Sequence, residues 1–141
     1  MDNRLFFLIS KTENSVTVYV KQQLSKAGLK VSPGQLGILF LLKNRNRQTM
    51  SELSTELETD NSAITRAVDR LEKAGFVERQ MNINDRREIY ILITESGIAE
   101  TENVKKVIAS FNKKVEKEFT TEELDAFKNS LLKLNTMFKG N

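Results

Sequence analysis

Residues 60–75 read Asp60-Asn61-Ser62-Ala63-Ile64-Thr65-Arg66-Ala67-Val68-Asp69-Arg70-Leu71-Glu72-Lys73-Ala74-Gly75. Ile64, Ala67, Val68 and Leu71 recur at spacings of three and four, so one short helix would carry them all on one side. Ser62, Arg66, Asp69 and Lys73 then point the other way, with Thr65 and Arg70 on the flanks. Asp60 or Asn61 supplies an N-cap oxygen for the first free backbone N–H groups, and Gly75 can take the left-handed conformation that ends a helix. Taken alone, this is an ordinary amphipathic surface helix. Its neighbours give it a more definite role.

Upstream, Ser32-Pro33-Gly34-Gln35 combines an N-cap Ser, a Pro in the first helical position and a Gln three residues after the cap. The helix it opens carries Leu36, Leu39, Phe40 and either Leu41 or Leu42 inward, and breaks in the polar run Asn44-Arg45-Asn46-Arg47-Gln48. Thr49-Met50-Ser51-Glu52 is a second capping box, starting a short helix with Leu53 and Leu57 on one face that runs to about Glu58. Thr59-Asp60-Asn61-Ser62 joins it to the helix above by a tight turn, which makes a helix-turn-helix. After Gly75 the period changes. Phe76 to Met81 and Glu88 to Ile93 alternate or nearly so and are rich in β-formers, predicting two antiparallel strands. Asn82-Ile83-Asn84-Asp85-Arg86-Arg87 supplies the turn between them. A helix-turn-helix followed by such a hairpin is a winged helix-turn-helix.

The two ends of the chain are helical. From Asn3 to about Ala27, Leu5, Leu8, Ile9, Val16, Tyr19, Val20 and Leu24 form a broad apolar stripe closed by Gly28. The β-branched cluster Val16 to Val20 also suits a strand, but its flanks favour helix. Thr94-Glu95-Ser96-Gly97 caps a long helix with Val104, Val107, Ile108, Phe111 and Val115 in line. Thr120 and Glu123 form a third capping box, with a Phe119 to Leu124 staple. The last helix steps through Leu124, Phe127, Leu131, Leu134 and Phe138. One winged-helix core cannot cover all these stripes, so they are expected to pair with each other and with a second subunit; packing within one chain is the alternative. The expected fold is mainly α with a small β-hairpin. A winged helix-turn-helix DNA-binding domain spans 32–94, and 1–31 with 95–141 make a helical dimerisation module.

Composition narrows the chemistry. The chain has 141 residues, 29% of them charged, a net charge of +3, and neither cysteine nor histidine. Disulfides, thiolate nucleophiles and the usual zinc or iron ligand sets are excluded, so no metal and no cofactor are expected. There is no Gly-rich phosphate loop and no nucleophile elbow, and hence no catalytic residue to name and no enzyme expected. No apolar run is long enough to span a bilayer, so no membrane partner is expected and the simplest compartment is the cytoplasm. A small positive charge hints at an anionic partner.

Double-stranded DNA is the anion these residues suit. Its major groove admits a helix, and a recognition helix presents side chains near its N-terminus to base edges. Arg66 is the candidate for a bidentate guanine contact, worth about 1–3 kcal/mol of discrimination. Ser62 and Thr65 can bond to bases or phosphate, Ala63 can touch a thymine methyl, and Arg70 and Lys73 suit phosphates. The acidic Asp69 is expected to orient a neighbouring arginine. At the hairpin tip Arg86 and Arg87 are available to a narrow minor groove. Asp85 either holds the Arg87 guanidinium or stabilises the turn, or does both. The competing reading of Arg66 is a solvated helix charge.

These residues resemble the MarR family of bacterial transcription regulators. The resemblance is carried by Ser32-Pro33-x-Gln35, by Met50-Ser51-Glu52-Leu53, and by the run from Ser62 through Thr65-Arg66-x-Val68-Asp69-Arg70-Leu71-Glu72 to Gly75-Phe76-Val77-Glu78-Arg79. Asp85-Arg86-Arg87 before Ile91-x-Ile93-Thr94 completes it. It implies a homodimer with interlocking first and last helices, a groove-reading helix from Ser62, and Asp85 with Arg87 as the wing pair. It also implies a repressor at a promoter operator, released by a small phenolic or anionic effector held between the dimer helices and the core. Tyr19 and Phe40 are read as core residues, with lining that crevice as their alternative. The wing tip Asn82-Ile83-Asn84 lacks the proline and extra lysine of many members. A protein-interaction module and a regulator without ligand control are the rival readings.

Overall fold

The computed structural model describes residues 4–139, so Asn3 lies outside the described residues. In chain order the elements are α1 (Arg4–Lys26), α2 (Pro33–Asn44), β1 (Gln48–Thr49), α3 (Met50–Leu57), α4 (Asn61–Lys73), β2 (Val77–Met81), β3 (Ile89–Ile93), α5 (Glu95–Glu116) and α6 (Thr121–Met137). The architecture is the expected mainly helical winged helix-turn-helix. Two compact units divide between Val107 and Ile108.

In the first unit, α3 and α4 are the two helices of the helix-turn-helix. Thr49 caps α3 by accepting from the Glu52 N–H, and Asp60 caps α4 by accepting from the Ala63 N–H at 2.7 Å. Glu58 between them takes the left-handed conformation (φ 52°), which turns the chain sharply. The core gathers Ile38, Leu39 and Leu42 of α2, Leu53 of α3, and Ile64, Val68 and Leu71 of α4. Ile91 of β3 and Val104 of α5 complete it, all fully or almost fully buried. Gly37 lets α3 approach α2, because a Cβ there would lie 2.6 Å from the Leu57 Cδ2.

The structure corrects the sequence reading at several points. The sheet has three strands, ordered β1-β3-β2, not two: Gln48 and Thr49 pair antiparallel with Ile91 and Tyr90. Gln48, read as part of a polar break, is buried, and its amide donates to the Leu41 and Arg45 carbonyls at 3.0 and 2.7 Å, closing the end of α2. The predicted box at Thr49 is only half formed, because the Glu52 carboxylate pairs with Arg45. On α2 Ile38 is buried where the reading named Phe40, which is half-buried, as is Tyr19. Of the α1 stripe, only Val20 and Leu24 are buried; Leu5, Leu8, Ile9 and Val16 are exposed.

In the second unit, Thr120 and Glu123 make the full reciprocal capping box that starts α6, with bonds of 3.1 and 3.0 Å. None of the side chains of α6 is buried, and Phe127, Leu131 and Phe138 are exposed.

Three elements of the first unit meet where α4 ends. Gly75 adopts φ 82°, as its place after the helix requires, and the chain enters the hairpin at Phe76. The Thr94 N–H donates to the Phe76 carbonyl, its hydroxyl donates to the Gly75 carbonyl at 2.6 Å, and the same hydroxyl accepts from the Gly97 N–H at 3.0 Å. Gly97 has no room for a side chain: a Cβ would stand 2.2 Å from the Phe76 carbonyl oxygen and 2.7 Å from Ile93. Since the first obstacle is backbone, Gly97→Ala is expected to lower unfolding free energy by about 1–3 kcal/mol. Urea denaturation with an unchanged slope checks this.

Candidate nucleic-acid interface

Helix α4 is built to display one face. Ile64, Val68 and Leu71 are buried, whereas Ser62, Thr65, Arg66, Arg70 and Lys73 are exposed and Ala63 is half-buried. The Thr65 hydroxyl donates to the Asn61 carbonyl at 2.8 Å, so its free lone pair faces outward as an acceptor. Ser62, Thr65 and Arg66 lie in the first half of the helix, as a groove reader requires.

The acidic residues of α4 are occupied. Asp69 and Glu72 both bind the guanidinium of Arg79 on β2, at 2.5 and 3.1 Å. Arg79 is thus a clamp between α4 and the wing, and it offsets one of the two negative charges that Asp69 and Glu72 carry. Among the described residues, no ion pair engages Arg66, Arg70, Lys73 or Arg86. Asp69 does orient an arginine, but Arg79 was given no role in the sequence reading. Strand alternation holds the signal, since Arg79 shares the face of Val77, which is buried against the helices.

At the hairpin tip Asp85 does both things asked of it. Its Oδ1 accepts from the Arg87 backbone N–H at 3.1 Å, forming the turn, and from Arg87 Nε at 3.4 Å, steadying a side chain that is 93% exposed. Arg86 is exposed beside it. The turn needs no proline: Asn82 Oδ1 accepts from the Asn84 N–H, and the Glu88 N–H donates to the Asp85 carbonyl, both at 3.0 Å. At the root of the wing, Asn82 Nδ2 donates to Glu88 and to the Tyr90 hydroxyl. Arg47, in the left-handed conformation at φ 66°, stacks its guanidinium 4.3 Å from the Tyr90 ring centroid. Loss of hydration, and after it the Glu88 carboxylate, push the Tyr90 phenol above its ordinary value and keep it protonated. Beyond the turn and polar-break roles read from sequence, Asn82 and Arg47 thus hold Tyr90 at the wing root.

Between the wing and the start of α3 lies a cleft of ≈ 620 Å³, lined by Thr49, Met50, Ser51, Asp85, Arg87, Glu88 and Ile89. Among the described residues, no three acidic side chains converge to hold a metal ion.

The MarR family model matches residues 31–89, which include α2, α3, α4, β2 and the hairpin turn and end at the first residue of β3. Over these residues the chain is similar to the MarR family. It is 32% identical over 86 residues to the HTH-type transcriptional regulator BilQ of Clostridioides difficile, a match covering 61% of this chain and 57% of that protein. A second relative, the uncharacterized HTH-type transcriptional regulator YfiV of Bacillus subtilis, is 30% identical over 99 residues, covering 64% and 62%. The match therefore spans about three fifths of the length of these curated relatives. Among solved structures, a mutant MarR from E. coli complexed with operator DNA superposes with a TM-score of 0.84 at 26% identity, covering 94% of each chain.

The Arg79 clamp makes a separable prediction. Its partners are half-exposed, so Arg79→Ala should cost about 1 kcal/mol of stability or less. It should nonetheless weaken duplex DNA binding, because Asp69 and Glu72 would then stand unpaired beside Arg66 and Arg70. Adding Asp69→Asn and Glu72→Gln to Arg79→Ala should restore most of the affinity, measured by fluorescence anisotropy at one fixed salt concentration.

Proposed function

We propose that the chain is a dimeric, sequence-specific DNA-binding transcription regulator, acting as a repressor on a pseudo-palindromic promoter operator. Helix α4 enters the major groove, with Arg66 reading guanine and Ser62, Ala63 and Thr65 at neighbouring base edges. Arg70 and Lys73 meet phosphates. The wing reaches the flanking minor groove with Arg87, which Asp85 holds, and with Arg86. The observation that carries this reading is the charge partition. Arg79 binds both carboxylates of the α4 face, and among the described residues no ion pair engages Arg66, Arg70 or Lys73.

The division of labour follows the sequence expectation, with 32–94 contacting DNA and the helices of 1–31 and 95–141 pairing with a second copy. Exposed Leu5, Phe6, Phe7 and Leu8 lie all round the first turns of α1, and Phe127, Leu131 and Phe138 are exposed on α6. Apolar surface on this scale supports burial between subunits. Two copies would set their recognition helices one turn of DNA apart, about 34–36 Å. A small phenolic or anionic effector would release the operator by favouring a dimer in which that spacing is lost.

Selection of bound fragments from genomic DNA tests the reading directly, and failure to enrich any promoter fragment would remove it. On the selected operator, Arg66→Ala should cost about 1–3 kcal/mol and relax specificity at one base pair per half-site. Arg87→Ala should weaken all sequences and reduce the salt slope by about one per wing. Sedimentation at micromolar concentration should show a dimer, and Leu131→Glu should shift it toward monomer with a parallel loss of operator affinity.

A further inference from the structure

The wing carries three large apolar side chains that the core leaves uncovered. Met81 and Ile89 are direct partners across β2 and β3 and are 58% and 39% exposed; Ile83, in the turn, is 94% exposed. The register explains the first two. Val77 with Ile93, Arg79 with Ile91, and Met81 with Ile89 follow one another along a single face of the hairpin. Nearer the helices, Val77, Ile91 and Ile93 on that face are buried. The hairpin extends past the helices, so the apolar pattern continues after its cover has stopped.

Ile83 has no such excuse. The turn is held by Asn82, Asp85 and backbone groups, and a β-branched residue has no preference for it. A polar side chain would serve the turn as well and would not leave an isoleucine in water. Its neighbours indicate what could cover it. Arg86 and Arg87 share its loop, and Ile89 shares with Arg87 the cleft that opens toward Thr49, Met50 and Ser51. Apolar and cationic groups are therefore offered side by side, to a partner with alternating apolar and anionic surface. A sugar–phosphate strand has that chemistry. An apolar small molecule or a second copy of the wing would leave the arginines with no anion.

We propose that Met81, Ile83 and Ile89 form an apolar edge of the wing that packs on the deoxyribose walls of the minor groove, with Ile83 the tip contact that favours A·T pairs. The preference follows from groove chemistry: a G·C pair adds the guanine N2 amino donor to the floor, and an isoleucine seated there would desolvate it unpaired. The inference rests on the DNA-binding reading above and adds to it a contact that is neither a hydrogen bond nor an ion pair.

The test uses the full-length protein and its selected operator, with Ile83→Asn, which suits a turn, and Met81→Gln, which keeps side-chain length. Both should retain the wild-type thermal midpoint, since neither side chain is buried. Each should weaken binding about threefold to tenfold at every salt concentration, the scale of losing part of one apolar side chain's burial. The slope of log affinity against log salt should stay unchanged, because no phosphate contact is removed. Hydroxyl-radical footprinting should lose protection at the sugars beneath the wing, and replacing A·T by G·C there should no longer matter to Ile83→Asn. Unchanged affinity and sugar protection would overturn the proposal, as would a slope reduced by about one, which would mean that the arginines had moved. A change in self-association with unaltered DNA affinity would name a second copy as the occupant and overturn it equally. If the wild-type protein retains no DNA at all, the DNA-binding reading itself fails, a result obtained before any variant is made.

Discussion

One hydroxyl group ties together the parts that matter most. Thr94 Oγ1 donates to the Gly75 carbonyl at the end of α4 and accepts from the Gly97 N–H in the first turn of α5, while the Thr94 N–H closes the hairpin on the Phe76 carbonyl. Helix α4, the wing and α5 thus share one fixed point. The missing Cβ of Gly97 lets α5 come this close, and the positive φ of Gly75 lets the chain turn there. The first turn of α5, the exit of α4 and the base of the wing are coupled because all three bond to Thr94.

Charge is distributed with the same economy. A net charge of +3 on 141 residues is too small to attract a polyanion by itself. Local pairing sharpens it. Arg79 draws Asp69 and Glu72 toward the sheet, so among the described residues neither carboxylate ion-pairs with the remaining cations of α4. The Asp85 contact with Arg87 works differently: it is exposed and long at 3.4 Å, worth little as an ion pair, and its value lies in restricting where a flexible guanidinium can point. The two acidic contacts look alike in sequence and differ in what they do. One removes negative charge from a face, and the other aims a positive charge.

Much of this was legible before the structure. Wherever a period, a cap and a stop coincided, as in α4 with Asp60, the Ile64 to Leu71 face and Gly75, element and boundaries could be read together. What was missed had no period to show. A two-residue strand such as β1 offers no alternation, and Gln48 reads as solvent-facing until its amide is seen closing α2 through two carbonyls. Arg79 was passed over because an arginine in a strand reads as an outward residue, although Val77 two positions earlier marks its face as inward. The burial of Ile38 in place of Phe40 turns on which side of α2 the short α3 takes, a tertiary choice governed by the Gly37 and Leu57 contact. Leu5, Leu8 and Ile9 of α1 and Phe127, Leu131 and Phe138 of α6 are exposed, and a stripe alone does not say which residues the chain covers for itself.

The wing shows how one local pattern can replace another. Without proline to stiffen it, the turn relies on Asn82, whose backbone and side chain both bond to Glu88 and whose amide also reaches the Tyr90 hydroxyl. Tyr90 in turn lies beneath the Arg47 guanidinium, and Asn46 Oδ1 receives both the Arg47 N–H and, at 2.9 Å, the Ile93 N–H. The loop before β1 is thereby joined to β3, the central strand, and through it to the wing root. Because the Tyr90 phenol is held protonated, this chain of contacts keeps its donors and acceptors at any pH near neutrality. Rigidity that a proline would place in the turn itself is here placed at its base by Asn82, which leaves position 83 without a bonding role in the turn. An exposed isoleucine can occupy that position because nothing in the turn depends on it.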